Sequence, residues 1–60
     1  MNRLFTVPQA ADALSIGRTK VYELIQRGEL TAVHIGRSVR VPGAALEEFI
    51  TRLEQDSRWR

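Results

Sequence analysis

Apolar residues recur along the chain at three helical spacings and one alternating one. Val7, Ala10, Ala11 and Leu14 stand at i, i+3, i+4 and i+7, one stripe of a helix. Pro8 suits a first turn, where its missing donor would be unpaired anyway, and Thr6 stands ready as the cap, so the spacing predicts a helix over 7–14. A second stripe, Val21, Leu24 and Ile25, follows the break Ser15-Ile16-Gly17 and ends at Gly28, which can take the left-handed cap conformation; this predicts a helix over 18–27. Leu46, Phe49, Ile50 and Leu53 form a third stripe behind Pro42-Gly43, with Glu47 and Glu48 in the early turns that favour acids, and predict a helix over 43–54. Between the second and third helices the period changes to two. Ala32-Val33-His34-Ile35 and Val39-Arg40-Val41 flank Gly36-Arg37-Ser38 and read as a hairpin, while Leu4 and Phe5 suggest a short strand at the start.

The hairpin register follows from requiring both apolar sets to share one face. Val33 then lies opposite Val41 and Ile35 opposite Val39, which places Arg37 at the tip of a three-residue loop and His34 across from Arg40 on the outer side. A two-residue loop would instead put Val39 opposite His34 and turn one apolar set outward. Two short helices joined by about three residues, with apolar Ile16 in the turn, match a helix-turn-helix. The expected order is strand, helix, helix, hairpin, helix: a single small α+β domain with its core over about residues 4–54 and a tail from 55 to 60.

Charge sharpens this picture. The 60 residues carry nine basic and seven acidic side chains, only +2 overall, yet they are unevenly placed. Between Ser15 and Val41, Arg18, Lys20, Arg27, Arg37 and Arg40 outweigh Glu23 and Glu29 by three, whereas from Pro42 to Ser57 only Arg52 stands against Glu47, Glu48, Glu54 and Asp56. A cationic middle beside an acidic third helix suits one face turned toward a polyanion and another kept away from it.

The second helix supplies the chemistry for such a face. Opposite its apolar stripe lie Thr19, Glu23 and Gln26, flanked by Arg18, Lys20, Tyr22 and Arg27, so every exposed position can hydrogen-bond. A ten-residue helix is about 15 Å long, and a DNA major groove about 12 Å wide admits it. Arg and Lys pair with guanine edges or phosphates, Gln with adenine, Glu with the cytosine amino group, and Tyr and Thr with phosphate oxygens. Glu23 also stands four residues before Arg27, a pairing distance on a helix surface. In the hairpin, Gly36, Arg37 and Ser38 offer a guanidinium on a narrow tip suited to a minor groove, with Arg40 placed to hold a phosphate beside it.

The segments Leu4-Phe5-Thr6-Val7-Pro8-Gln9-Ala10-Ala11, Arg18-Thr19-Lys20-Val21-Tyr22-Glu23-Leu24-Ile25, Gly28-Glu29-Leu30 and Ile35-Gly36-Arg37-Ser38-Val39-Arg40-Val41-Pro42 together resemble the excisionase family of winged helix-turn-helix proteins, related to the DNA-binding part of MerR-type regulators. The resemblance spans about residues 4 to 50. It implies an accessory double-stranded-DNA-binding protein of a phage or integrative element that binds repeated sites beside an attachment site, contacts other copies of itself, bends the DNA and steers an integrase toward excision. By position, it makes Arg18, Thr19, Lys20 and Tyr22 the recognition-helix contacts and Arg37 the wing contact. Two departures stand out: Ser15 occupies a place where the family often has glycine, which strains a left-handed backbone there, and Glu23 stands where a basic residue is common.

Other functions fit less well. With no cysteine and one histidine, a single chain has neither a disulfide framework nor a metal site, and no cofactor is expected. No apolar run approaches the roughly 20 residues of a membrane span and the chain holds no cysteine, so a cytosolic protein without a membrane partner is expected, and the resemblance implies a place at the bacterial host's nucleoid with no small-molecule substrate. Glu47 and Glu48 are adjacent and point apart, and Asp12, Ser15 and His34 lack a nucleophile elbow or oxyanion hole, so an enzyme is not expected. The rival readings are a stand-alone transcriptional regulator using the same surface and an adaptor whose basic face meets an acidic protein. For Trp59 two places are open, folded back on the sheet, which is the expected one, or docked onto a neighbouring copy.

Overall fold

Thr6 sets the first helix by closing a reciprocal capping box. Its hydroxyl accepts from the Gln9 backbone N–H at 3.1 Å, while the Gln9 side-chain carbonyl accepts from the Thr6 N–H at 3.0 Å, so two donors that a helix start leaves unpaired are satisfied. In the computed structural model, which describes residues 3–56, this helix is α1 (Val7–Leu14), preceded by β1 (Leu4–Phe5) and followed by α2 (Arg18–Gln26), β2 (Val33–Ile35), β3 (Ser38–Pro42) and α3 (Gly43–Gln55). The element order is the one the sequence predicts, and each helix boundary falls within one residue of its expected place. The expectation for Trp59 concerns the tail beyond Asp56 and lies outside the described residues.

The turn between α1 and α2 is tight because Ser15 adopts the left-handed conformation, with φ 59° and ψ 41°. Its N–H reaches the Asp12 carbonyl at 3.1 Å and the Ile16 N–H reaches Ala11 at 3.0 Å, which closes α1 and drops Ile16 against the core. A side chain in this region costs about 1–2 kcal/mol relative to the right-handed one, a penalty that glycine avoids. Ser15→Gly is therefore expected to stabilise the domain by about 1 kcal/mol, raising its thermal midpoint by about 4–8 °C. Circular dichroism melts check this; an unchanged or lower midpoint rejects the strain. Gly28, at φ 75°, ends α2 in the expected way, with the Glu29 N–H bonded back to Leu24 at 2.9 Å.

The three strands form one antiparallel sheet in the order β1-β3-β2. Phe5 lies opposite Val41 and Leu4 opposite Pro42, and the ladder is extended by the Gly43 N–H donating to the Arg3 carbonyl at 2.8 Å. Phe5 and Val41 point into the core, where Val7, Ala10, Val21, Leu24, Leu30, Leu46 and Phe49 from the helices and the α2–β2 connection meet them.

The hairpin corrects the expected register. Val33 lies opposite Arg40, His34 opposite Val39 and Ile35 opposite Ser38, so the loop has two residues, Gly36 and Arg37, not three. Gly36 takes φ 61° while Arg37 does not enter positive φ, the pattern of a type II′ turn, whose twist suits two antiparallel strands. Directly opposed residues share a face. Val39 packs on the core, so His34 shares its side, while Ile35, Ser38, Val33 and Arg40 occupy the other. His34 therefore does not face Arg40. Val33 and Ile35 turn outward, 37% and 58% exposed, because the core ends at Val39 and Val41 and offers nothing for β2 to cover. Turn geometry decided the register where the apolar pattern alone pointed the other way.

Candidate nucleic-acid interface

All seven polar residues singled out on α2 and its C-cap, namely Arg18, Thr19, Lys20, Tyr22, Glu23, Gln26 and the capping Arg27, are exposed. They are held outward by the opposite face of the same helix, where Val21 is fully buried and Leu24 nearly so. Gly17 caps α2 in extended conformation without a side-chain bond, so its first turn presents backbone N–H groups beside Arg18, Thr19 and Lys20. Tyr22 keeps 49% of its surface exposed and is not a core aromatic.

Two ion pairs organise the charges on this surface. The Lys20 ammonium lies 3.5 Å from the Glu23 carboxylate, one turn along the same face, and Arg27 lies 3.8 Å from Glu29 across the Gly28 turn. Glu23 thus partners Lys20, and Arg27 turns to Glu29, in place of the expected Glu23–Arg27 contact. Exposed pairs of this kind are worth about 0–1 kcal/mol, so either cation can exchange its carboxylate for a phosphate at small cost. Arg18 and Arg37 make no ion pair among the described residues.

On the wing, Gly36, Arg37 and Ser38 are exposed at the hairpin tip. Arg40 is different: it is half-buried, and its guanidinium donates to the neighbouring Val39 carbonyl at 2.9 Å. The α2 surface and the wing are joined through Gly28-Glu29-Leu30. Leu30 is 1% exposed, its N–H bonds to Leu24, and the Arg52 guanidinium of α3 donates to the Glu29 carbonyl. Sequence reading missed this clamp, because a contact 23 residues apart leaves no periodic signal. The Gln9 half of the capping box was also missed, although Thr-x-x-Gln ahead of an apolar run is its signature.

Among the described residues, no cluster of three or more His, Cys, Asp or Glu side chains is placed to hold a metal ion, and no helix is long and apolar enough to cross a membrane. One cleft of about 200 Å³ lies between the helix-turn-helix and α3, walled by Leu14, Ile16, Leu24, Phe49, Leu53 and Lys20, and it is apolar.

Residues 4–54 match the model of a helix-turn-helix domain family. The chain is similar to a probable excisionase of Saccharopolyspora erythraea, at 46% identity over 50 residues that cover 83% of this chain and 51% of that protein. It is also similar to an excisionase of Streptomyces ambofaciens, at 43% identity over 47 residues covering 78% of this chain and 76% of the relative. The chain thus spans about half the length of the first relative and three quarters of the second. No solved structure matches it. A helix-turn-helix whose second helix turns a polar, cation-rich face to solvent, matched over most of its length by these relatives, belongs to the excisionase family of DNA-binding helix-turn-helix proteins.

Proposed function

We propose that this protein is a sequence-specific double-stranded-DNA-binding excisionase that lays α2 in a major groove and the Arg37 wing tip in the adjacent minor groove. The observation that carries the reading is the joint exposure of the α2 polar face and the Gly36-Arg37 tip, on elements held together by the buried Leu30. Arg18, Thr19, Lys20, Tyr22, Gln26 and Arg27 supply phosphate and base-edge contacts, and Glu23, released from Lys20, accepts from a cytosine amino group or stays a surface charge. Ser38 adds a hydroxyl beside the tip. Arg40 reaches a phosphate only by leaving the Val39 carbonyl, which makes it the weakest of the expected contacts.

About five cations give a single copy modest affinity with a steep salt dependence, so occupancy of an attachment region depends on adjacent copies reinforcing one another. The acidic surface of α3 suits a contact with the basic middle of the next copy. DNA bent by a row of such copies brings an integrase to its excisive arrangement. These steps place the protein in the host cytoplasm, at the DNA.

Titration of duplex DNA carrying one or several sites, at rising salt, tests the reading. Binding is expected to weaken with a log–log slope of about −4 to −5, at about −0.9 for each phosphate neutralised, and to tighten per site when sites adjoin. No binding at low salt rejects DNA as the partner, a slope near zero rejects phosphate neutralisation by these cations, and equal affinity per site rejects cooperation. An excision assay with the cognate integrase, with and without this protein, separates excision from a purely transcriptional role.

A further inference from the structure

We propose that the wing tip recognises DNA with two chemistries: the Arg37 guanidinium, and the apolar side chain of Ile35 packed against the deoxyribose edge of the minor groove. The inference rests on the reading that the wing enters that groove. Its starting point is the corrected register. Because the loop has only two residues, Ile35 is the last strand residue before Gly36 and pairs with Ser38 to close the turn. It sits on the face opposite Val39, away from the core, and at 58% exposed it is the most exposed large apolar side chain among the described residues. Nothing in the fold requires an apolar residue there. A serine or threonine would serve a short, solvent-facing strand equally well.

Dimensions limit what can enter. Two paired strands have axes about 4.8 Å apart before their own thickness is added, so a minor groove about 6 Å wide admits the side chain at the turn and stops the strands at its rim. A hairpin tip that puts an arginine into this groove brings the residues on either side of the turn against that rim. The rim consists of sugar edges, which offer apolar surface as well as oxygens. Ser38 brings a hydroxyl to one side of the turn and Ile35 a branched hydrocarbon to the other. Arginine in a narrow groove and apolar side chains pressed into it are both established modes of minor-groove binding, and here they stand two residues apart.

The full chain, its Ile35→Ala and Ile35→Val variants and Arg37→Ala are titrated against a duplex with one site, over a salt series, with melts as a folding control. Ile35→Ala is expected to bind about five-fold more weakly at every salt concentration, with an unchanged slope and melting midpoint, since apolar contact releases no counterion. Ile35→Val is expected to restore most of the affinity, and Arg37→Ala to flatten the slope by about one. If Arg37→Ala weakens binding while Ile35→Ala does not, the sugar contact is overturned and the DNA reading stands. If Ile35→Ala is silent on one site and costs affinity only on adjacent sites, Ile35 belongs to a contact between copies and the proposal is likewise overturned. Failure of the unaltered protein to bind DNA overturns both.

Discussion

Alanine at Arg37 is expected to weaken binding to a single duplex site about ten-fold, or about 1.4 kcal/mol, and to reduce the salt slope by about one, while leaving the thermal midpoint where it was. The separation between binding and folding follows from the turn. Gly36 carries the positive φ that the two-residue loop requires, and Arg37 holds no ion pair among the described residues, so the fold gains little from its side chain. Arg40→Ala makes the contrast. Its guanidinium is committed to the Val39 carbonyl, and the half-buried stem covers the outer sheet face, so the change is expected to cost a little stability and less affinity than Arg37→Ala. Equal losses of binding at the two positions would show that the hairpin meets DNA along its strands and not at its tip. No loss at Arg37 would remove the wing from the interface.

How much of this was legible in the sequence differs from element to element, for physical reasons. The helices were readable because each writes its own boundaries. Thr6 and Pro8 start α1, Gly28 ends α2, and apolar stripes at a 3.6-residue period tell which sides are buried. The outward residues of α2 follow from the same arithmetic, and the structure leaves all seven exposed. The left-handed Ser15 was legible as a departure from a glycine position, and its φ of 59° agrees. The hairpin was misread because alternation identifies two apolar sets without saying that both are buried. In a chain of 60 residues the core has room for Val39 and Val41 but not for Val33 and Ile35 as well. The two-residue loop was favoured by glycine at its first position, a local signal that outweighed the apparent gain from hiding two more side chains. Contacts such as Arg52 with Glu29 depend on how elements dock and have no local trace at all.

Leu30→Ala is expected to give the opposite outcome to Arg37→Ala, losing the fold and binding together. Leu30 is among the largest fully buried side chains and lies on the short segment that joins α2 to β2. Removing a buried leucine costs about 2–5 kcal/mol through lost transfer energy and the cavity left behind. A domain of this size has a total stability of only about 3–9 kcal/mol. The midpoint should fall by about 10–30 °C, and much of the population should be unfolded at 37 °C. The Arg52–Glu29 bond does not compensate, since it holds the backbone of the connection but fills none of the space Leu30 leaves. Duplex DNA supplies the decisive control. If the folded form alone binds, excess duplex should raise the variant's midpoint in proportion to the logarithm of its concentration, because ligand draws the equilibrium toward the state that carries the site. A variant that melts normally but no longer binds would show that Leu30 sets the spacing between α2 and the wing without supporting the core. One that unfolds and is not rescued by DNA would show that the two probes cannot be re-assembled once this connection is loosened.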